Sequence, residues 1–158
     1  MTTTITVSAS EIDGLNLAPA LAVIEPLLAA GAIASQDPQL QFVIDYPRDQ
    51  AEDLELSEIP EVRLWFIRLD ATYPWLPYLL DWRSGELARY FAMLVPHQFS
   101  PKEGIQFNPQ ALDILVMQKI FILHDWLKRQ NLEGVVKLKQ MAELFGYELN
   151  DGLFELLG

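Results

Sequence analysis

Apolar and polar positions along the chain change period several times, and the changes mark out its elements. Thr2–Ser8 is short, Thr-rich and β-branched, which predicts a strand. Asn16 is placed to cap a helix running through Ala30, with Pro19 in its first turn and Gly31 as its stop. Pro26 falls inside that span and should kink or split it, because proline has no N–H to give the helix. Leu40–Tyr46 (LQFVIDY) predicts a second strand, ended by Pro47. Val62–Leu69 (VRLWFIRL) is apolar on both faces apart from Arg63 and Arg68. A helix is the alternative there, but β-branched and aromatic content favours a central strand buried on both sides.

The second half reads as mostly helical. Tyr73–Leu80 (YPWLPYLL) opens with prolines suited to a first turn and predicts a short helix. Ser84 is placed to cap the next one. Leu87, Tyr90, Phe91, Leu94 and Val95 fall on one helical stripe, and Pro96 ends it. Pro96, His97, Gln98 and Phe99 read as a turn. Asn108-Pro109 is a cap followed by proline, a strong start for a helix to about Gln130. Leu112, Leu115, Val116, Ile120, Phe121 and Leu123 make it apolar round most of its circumference, which places it in the middle of a fold. Leu132–Phe145 is a second amphipathic helix stopped by Gly146, and Asp151–Leu157 predicts a last short one. The expected class is α+β: a small sheet of about three strands, several packed helices and a helical C-terminal half, in one domain over residues 1–158. Residues 48–60 interrupt it as an acidic loop carrying Asp49, Glu52, Asp53, Glu55 and Glu58.

Composition narrows the function classes. Hydrophobic residues make up 51% of the 158, enough to build a core. Cysteine is absent, so the chain supplies no disulfide, thiol nucleophile or thiolate-held cluster. The net charge of -11 opposes binding to phosphate backbones and to anionic membrane surfaces. Most of it lies in front: residues 1–60 hold ten acids against one base, Arg48. The opening MTTTITVSASEIDG has neither the basic and apolar regions of a signal peptide nor the arginine of a transit peptide, which predicts a cytoplasmic location. The best transmembrane candidate, Ile114–Leu123, is broken by Gln118 and Lys119.

Candidate chemistry is thin. The two histidines, His97 and His124, show no metal-binding spacing, so no metal or cofactor is expected. His124 near a helix end reads as a surface or capping residue. Ser84 and Ser100 have no base beside them in sequence, and Ser84 is explained as a cap. Asp70 and Asp81 flank the Tyr-Pro-Trp segment and would form an acid–base pair only if the fold brought them together. An enzyme using His97 with Asp70, Asp81 or Arg83 is therefore kept as an alternative. Leu138–Leu157 has a helix-turn-helix cadence, and a DNA-binding regulator is a second alternative. Its would-be recognition helix, DGLFELL, is negative and has no base-reading side chain.

The densest feature is a run of Trp, Tyr, Pro and Arg between Trp65 and Phe99. These residues dominate interface hot spots, and they are also ordinary core residues. Trp75, between two prolines, stands in a non-repetitive stretch where loops carry function disproportionately.

Three stretches, IPEVRLWFIRLDATYPWLPYLLDWRSGELARYFAMLVPHQFS, EGIQFNPQALDILVMQKIFILHDWL and LKQMAELFGYELNDGLF, resemble the chlororespiratory reduction family, sixth in its series. The resemblance covers residues 59 to 157. It implies an assembly factor for the hydrophilic arm of the photosynthetic NAD(P)H dehydrogenase-like complex in cyanobacteria and chloroplasts. The implied partner is the arm's ferredoxin-like iron–sulfur subunit, and the implied location is cytoplasmic, or stromal in chloroplast relatives. No catalytic residue carries over, so the protein is expected not to be an enzyme. The protein-binding candidates are Arg68, Asp70, Tyr73, Trp75, Trp82, Arg83, Arg89, His97 and Phe99.

Overall fold

The computed structural model describes residues 2–31, 39–47, 56–100 and 102–157. Most of the expected acidic loop, residues 48–55, lies outside the described residues. The backbone groups into two compact units, Met1–Asn108 and Pro109–Gly158. The class is α+β, as the hydrophobic pattern predicts.

The first unit begins with β1 (Thr2–Ser8), which pairs in parallel with β2 (Gln39–Asp45). Ile5 stands opposite Phe42 and Val7 opposite Ile44, and the alternating threonines Thr2, Thr4 and Thr6 face outward. Parallel strands need a crossover, which α1 (Ala9–Asp13) and α2 (Ala18–Ala29) supply. Ser8 and Glu11 form a capping box at the start of α1. The N-cap of α2 is Leu17 and not Asn16, although Asn16 Oδ1 does accept from the Ala18 N–H at 3.0 Å. Pro26 does not split α2, which continues to Ala29.

The expected central strand is instead a helix, α3 (Pro60–Thr72). Pro60 occupies its first position, where the missing N–H costs nothing. Val62, Trp65, Phe66 and Leu69 are buried at i, i+3, i+4 and i+7, while Leu64, Ile67 and Arg68 face outward. The β-branched content that favoured a strand is spread over both sides of the helix. Among the described residues the strands therefore form two sheets of two strands each. Leu40 makes only an isolated parallel bridge to Leu80.

Short 3₁₀ turns at Leu76–Leu79 and Trp82–Ser84 lead into α4 (Glu86–Leu94). Gly85, with φ 82°, occupies the left-handed region there and forms the N-cap. Ser84 does not cap α4: its hydroxyl donates to the Asp81 carbonyl at 3.0 Å. Leu87, Tyr90 and Phe91 are buried on the expected stripe. The stretch read as a turn at His97 is a strand, β3 (His97–Ser100), paired antiparallel with β4 (Gly104–Phe107). Pro96 stops the helix, and the β-compatible residues after it pair across a short connection.

The second unit is helical. Its long helix α5 (Pro109–Arg129) buries Leu112, Leu115, Val116, Ile120, Leu123, Trp126 and Leu127. It is not enclosed all round, since Ile114 is 70% and Phe121 44% exposed. Asn131, at φ 57°, turns the chain toward α6 (Val135–Leu144), and Gly146, at φ 87°, ends that helix. Asn150 Oδ1 accepts from Leu153 N–H at 3.1 Å at the start of α7 (Asp151–Leu157). Among the described residues no helix is long and apolar enough to cross a membrane.

Candidate functional site

The most completely built site in the first unit is a small cleft between β2 and α4. Its walls include Phe42, Ile44, Leu56, Phe66 and Met93, and it holds about 30 Å³ of free space. Edge-to-face contacts hold the aromatic wall: Phe42 to Phe66 at 5.1 Å, Trp65 to Phe66 at 5.0 Å, and Phe66 to Tyr90 at 6.0 Å. Rings locked this way keep the cleft open.

Glu86 and Arg89 bring charge to this apolar space. Glu86 is only 3% exposed. Its Oε2 accepts from the Phe42 N–H at 3.4 Å, so α4 holds the edge of β2 through a side chain. Its Oε1 stands 3.1 Å from Arg89 Nη1, an ion-pair distance, yet no donor meets that oxygen in hydrogen-bond geometry. Burial pushes the Glu86 carboxyl above its ordinary range, Arg89 and the Phe42 N–H pull it back, and Asp81 adds a further upward push. Arg89 also donates to the Ser84 carbonyl at 3.2 Å.

The residues expected to form a docking face are divided by the fold. Arg68 and Arg83 are exposed, and the Arg89 side chain is 46% exposed. Trp75 and Trp82 are half-buried, and the Trp82 indole donates to the Pro77 carbonyl at 2.8 Å. Tyr73 is buried at 5% exposure, so it supports the face from inside. Its ring meets Trp75 in a tilted contact at 5.2 Å and its hydroxyl donates to Glu25. Burial, then the Glu25 hydrogen bond and charge, push the Tyr73 phenol up to about 12. Asp70 accepts from the buried Tyr90 hydroxyl. Phe99 is placed in β3, but its side chain lies outside the described residues.

His97 does not pair with Asp70, Asp81 or Arg83. Its Nδ1 lies 3.0 Å from the Val95 carbonyl and its Nε2 2.9 Å from Ser57 Oγ. A carbonyl only accepts, so Nδ1 carries the proton in the neutral ring and Nε2 accepts from the serine hydroxyl. Asp81 meanwhile accepts from the Arg83 backbone N–H at 3.1 Å. Among the described residues, no group of three or more His, Asp or Glu side chains is arranged to hold a metal ion.

Sequence reasoning missed Ser57, Phe42 and Glu86. Ser57 meets His97 across 40 residues, which no local pattern records. Glu86 did leave a trace: it is a charged residue four positions before Tyr90, on the buried side of an apolar stripe.

Fold and site together define a small α+β protein with an aromatic-walled, charge-bearing cleft and exposed arginines. The chain is a member of the chlororespiratory reduction 6 (Crr6) family, whose model matches residues 7–156. The match takes in the end of β1 and all of α1, α2 and β2, a stretch the resemblance over residues 59 to 157 did not cover. The family name is consistent with a role in assembling an NAD(P)H dehydrogenase-related complex. No solved structure matches the chain.

Proposed function

We propose that this protein is an assembly factor for the hydrophilic arm of the NAD(P)H dehydrogenase-like complex, and that it acts by binding the ferredoxin-like iron–sulfur subunit rather than by catalysis. The family match over residues 7–156 carries this reading. The chemistry of the chain agrees with it. A cysteine-free protein can hold a cysteine-rich client without competing for its cluster or exchanging disulfides. Arg83 and Arg89 are exposed and Trp75 and Trp82 half-buried, residue types typical of hot spots. The work is done in the cyanobacterial cytoplasm, or the stroma in chloroplast relatives.

The test is affinity purification from a cyanobacterial lysate with mass spectrometry of what is retained. The iron–sulfur subunit should co-purify, and Trp75→Ala with Arg83→Ala should each reduce its recovery several-fold. Recovery of other proteins without that subunit would overturn the reading.

A further inference from the structure

The two edges of β2 are used differently. In a strand, alternate residues direct their backbone groups to opposite edges. Gln41, Val43 and Asp45 therefore face β1, while Leu40, Phe42 and Ile44 face away from it. The first half of that outer edge is occupied. The Leu40 carbonyl accepts from Asp81 N–H at 2.9 Å, next to the parallel bridge to Leu80. The Phe42 N–H is taken by Glu86 at 3.4 Å. Beyond that point no further ladder partner is found among the described residues. Among the described residues, nothing meets the Phe42 carbonyl, the Ile44 N–H or the Ile44 carbonyl. The aromatic-walled cleft opens beside these groups, since Phe42 and Ile44 both line it.

We propose that the open half of the β2 edge is a strand-addition site, where an extended segment of a partner protein continues the ladder that Leu80 begins. These groups, unmet among the described residues, run acceptor, donor, acceptor at strand spacing, and an extended backbone supplies the complementary series. A helix has its own backbone groups already paired, and a nucleic acid is repelled by the net charge of -11. Free space of about 30 Å³ suits one small apolar side chain, such as alanine or valine, pointing inward from the added segment. Glu86, ion-paired with Arg89 through Oε1, stands at the Leu80 end, and a terminal lysine on the added segment complements the chain's net charge of -11. Folded proteins usually blunt such edges with charge or proline, and here Pro47 comes only after the strand has ended. The identity of the partner rests on the assembly-factor reading; the edge itself does not.

Hydrogen exchange at the Ile44 amide tests this in ¹⁵N-labelled protein. The two additions are the purified ferredoxin-like iron–sulfur subunit and a blocked eight-residue peptide of alternating valine and threonine with one terminal lysine. With either, Ile44 exchange should slow by about tenfold or more. Ile44→Pro removes the donor on the free edge without touching the β1 ladder, and should weaken binding by about tenfold. Ile44→Val should bind like the natural chain. If the subunit binds while Ile44 exchange is unchanged and Ile44→Pro binds equally well, strand addition is overturned and the assembly role stands. If the peptide protects Ile44 but the subunit does not bind, the edge stands and the client assignment fails. Protection by neither, or protection in the protein alone that grows with its concentration, overturns the proposal.

Discussion

The Tyr90 hydroxyl donates to Asp70 Oδ1 at 2.8 Å, tying α4 to α3 beneath the cleft. Tyr90 is 2% exposed, and burial, reinforced by the Asp70 charge and hydrogen bond, pushes its phenol well above 10. The phenol therefore stays a neutral donor across the working range. Tyr90→Phe deletes the donor and keeps the ring against Phe66. A hydrogen bond to a charged group contributes about 1.5–3 kcal/mol, so urea unfolding should show a lower midpoint with an unchanged slope. A midpoint equal to that of the natural chain would show that Asp70 finds an equivalent donor.

Glu86 gives a pH dependence of definite sign. Its folded carboxyl is raised above the ordinary 4.5, chiefly by burial. The folded chain thus holds this proton more tightly than the unfolded chain does. Stability falls as pH rises from 4.5 through the raised value, and the cost is fully present above it. Glu86→Gln keeps an oxygen to accept the Phe42 N–H and has no proton to lose. Arg89 is half-exposed, so the ion pair lost in the variant is worth little. The stability of Glu86→Gln minus that of the natural chain should be more positive at pH 8 than at pH 4, read by urea unfolding at both. The opposite trend would mean that the Arg89 pair dominates the desolvation.

How much of this was legible in the chain depends on the range of each contact. The Asn108-Pro109 start of α5, the β-branched run of β1 and the Leu87–Tyr90–Phe91 stripe of α4 are local patterns, and each appears where it was expected. The α3 segment failed because two local signals conflict. Its β-branched content suggests a strand, whereas Val62, Trp65, Phe66 and Leu69 fit a helical face, and packing favoured the helix. The site is less legible still. Tyr73 meets Glu25 across 48 residues, and Phe42 meets Glu86 across 44. Such pairs exist only after the fold has formed. Equally, the richness of the Trp65–Phe99 run in aromatics could not separate Tyr73, which is buried, from Trp75, which is half-exposed.

The tautomer of His97 is a further checkable point. Since the Val95 carbonyl can only accept, the neutral ring should carry its proton on Nδ1, with Nε2 accepting from Ser57. Long-range ¹H–¹⁵N correlation spectra of the neutral ring should show that form. Ser57→Ala removes the hydroxyl donor but leaves Val95 in place, so the tautomer should persist. The stability loss should be about 1 kcal/mol, the contribution of one hydrogen bond. A proton on Nε2 would contradict the arrangement around β3.

Gly134 caps α6 for reasons of space rather than backbone angle. Its φ of -141° is open to any residue. A Cβ added there, however, would fall inside contact distance of Leu127 Cδ1, so the buried Leu127 side chain would have to shift. Gly134→Ala should therefore cost about 1–3 kcal/mol through overpacking in the α5–α6 turn. A double-mutant cycle isolates the cause. In a Leu127→Ala background the new methyl group has space, so the added penalty of Gly134→Ala should shrink by more than half. Any loss from replacing glycine at a cap stays the same in both backgrounds and cancels in the cycle. Equal penalties in the two backgrounds would mean that contact with Leu127 is not what demands glycine at this position.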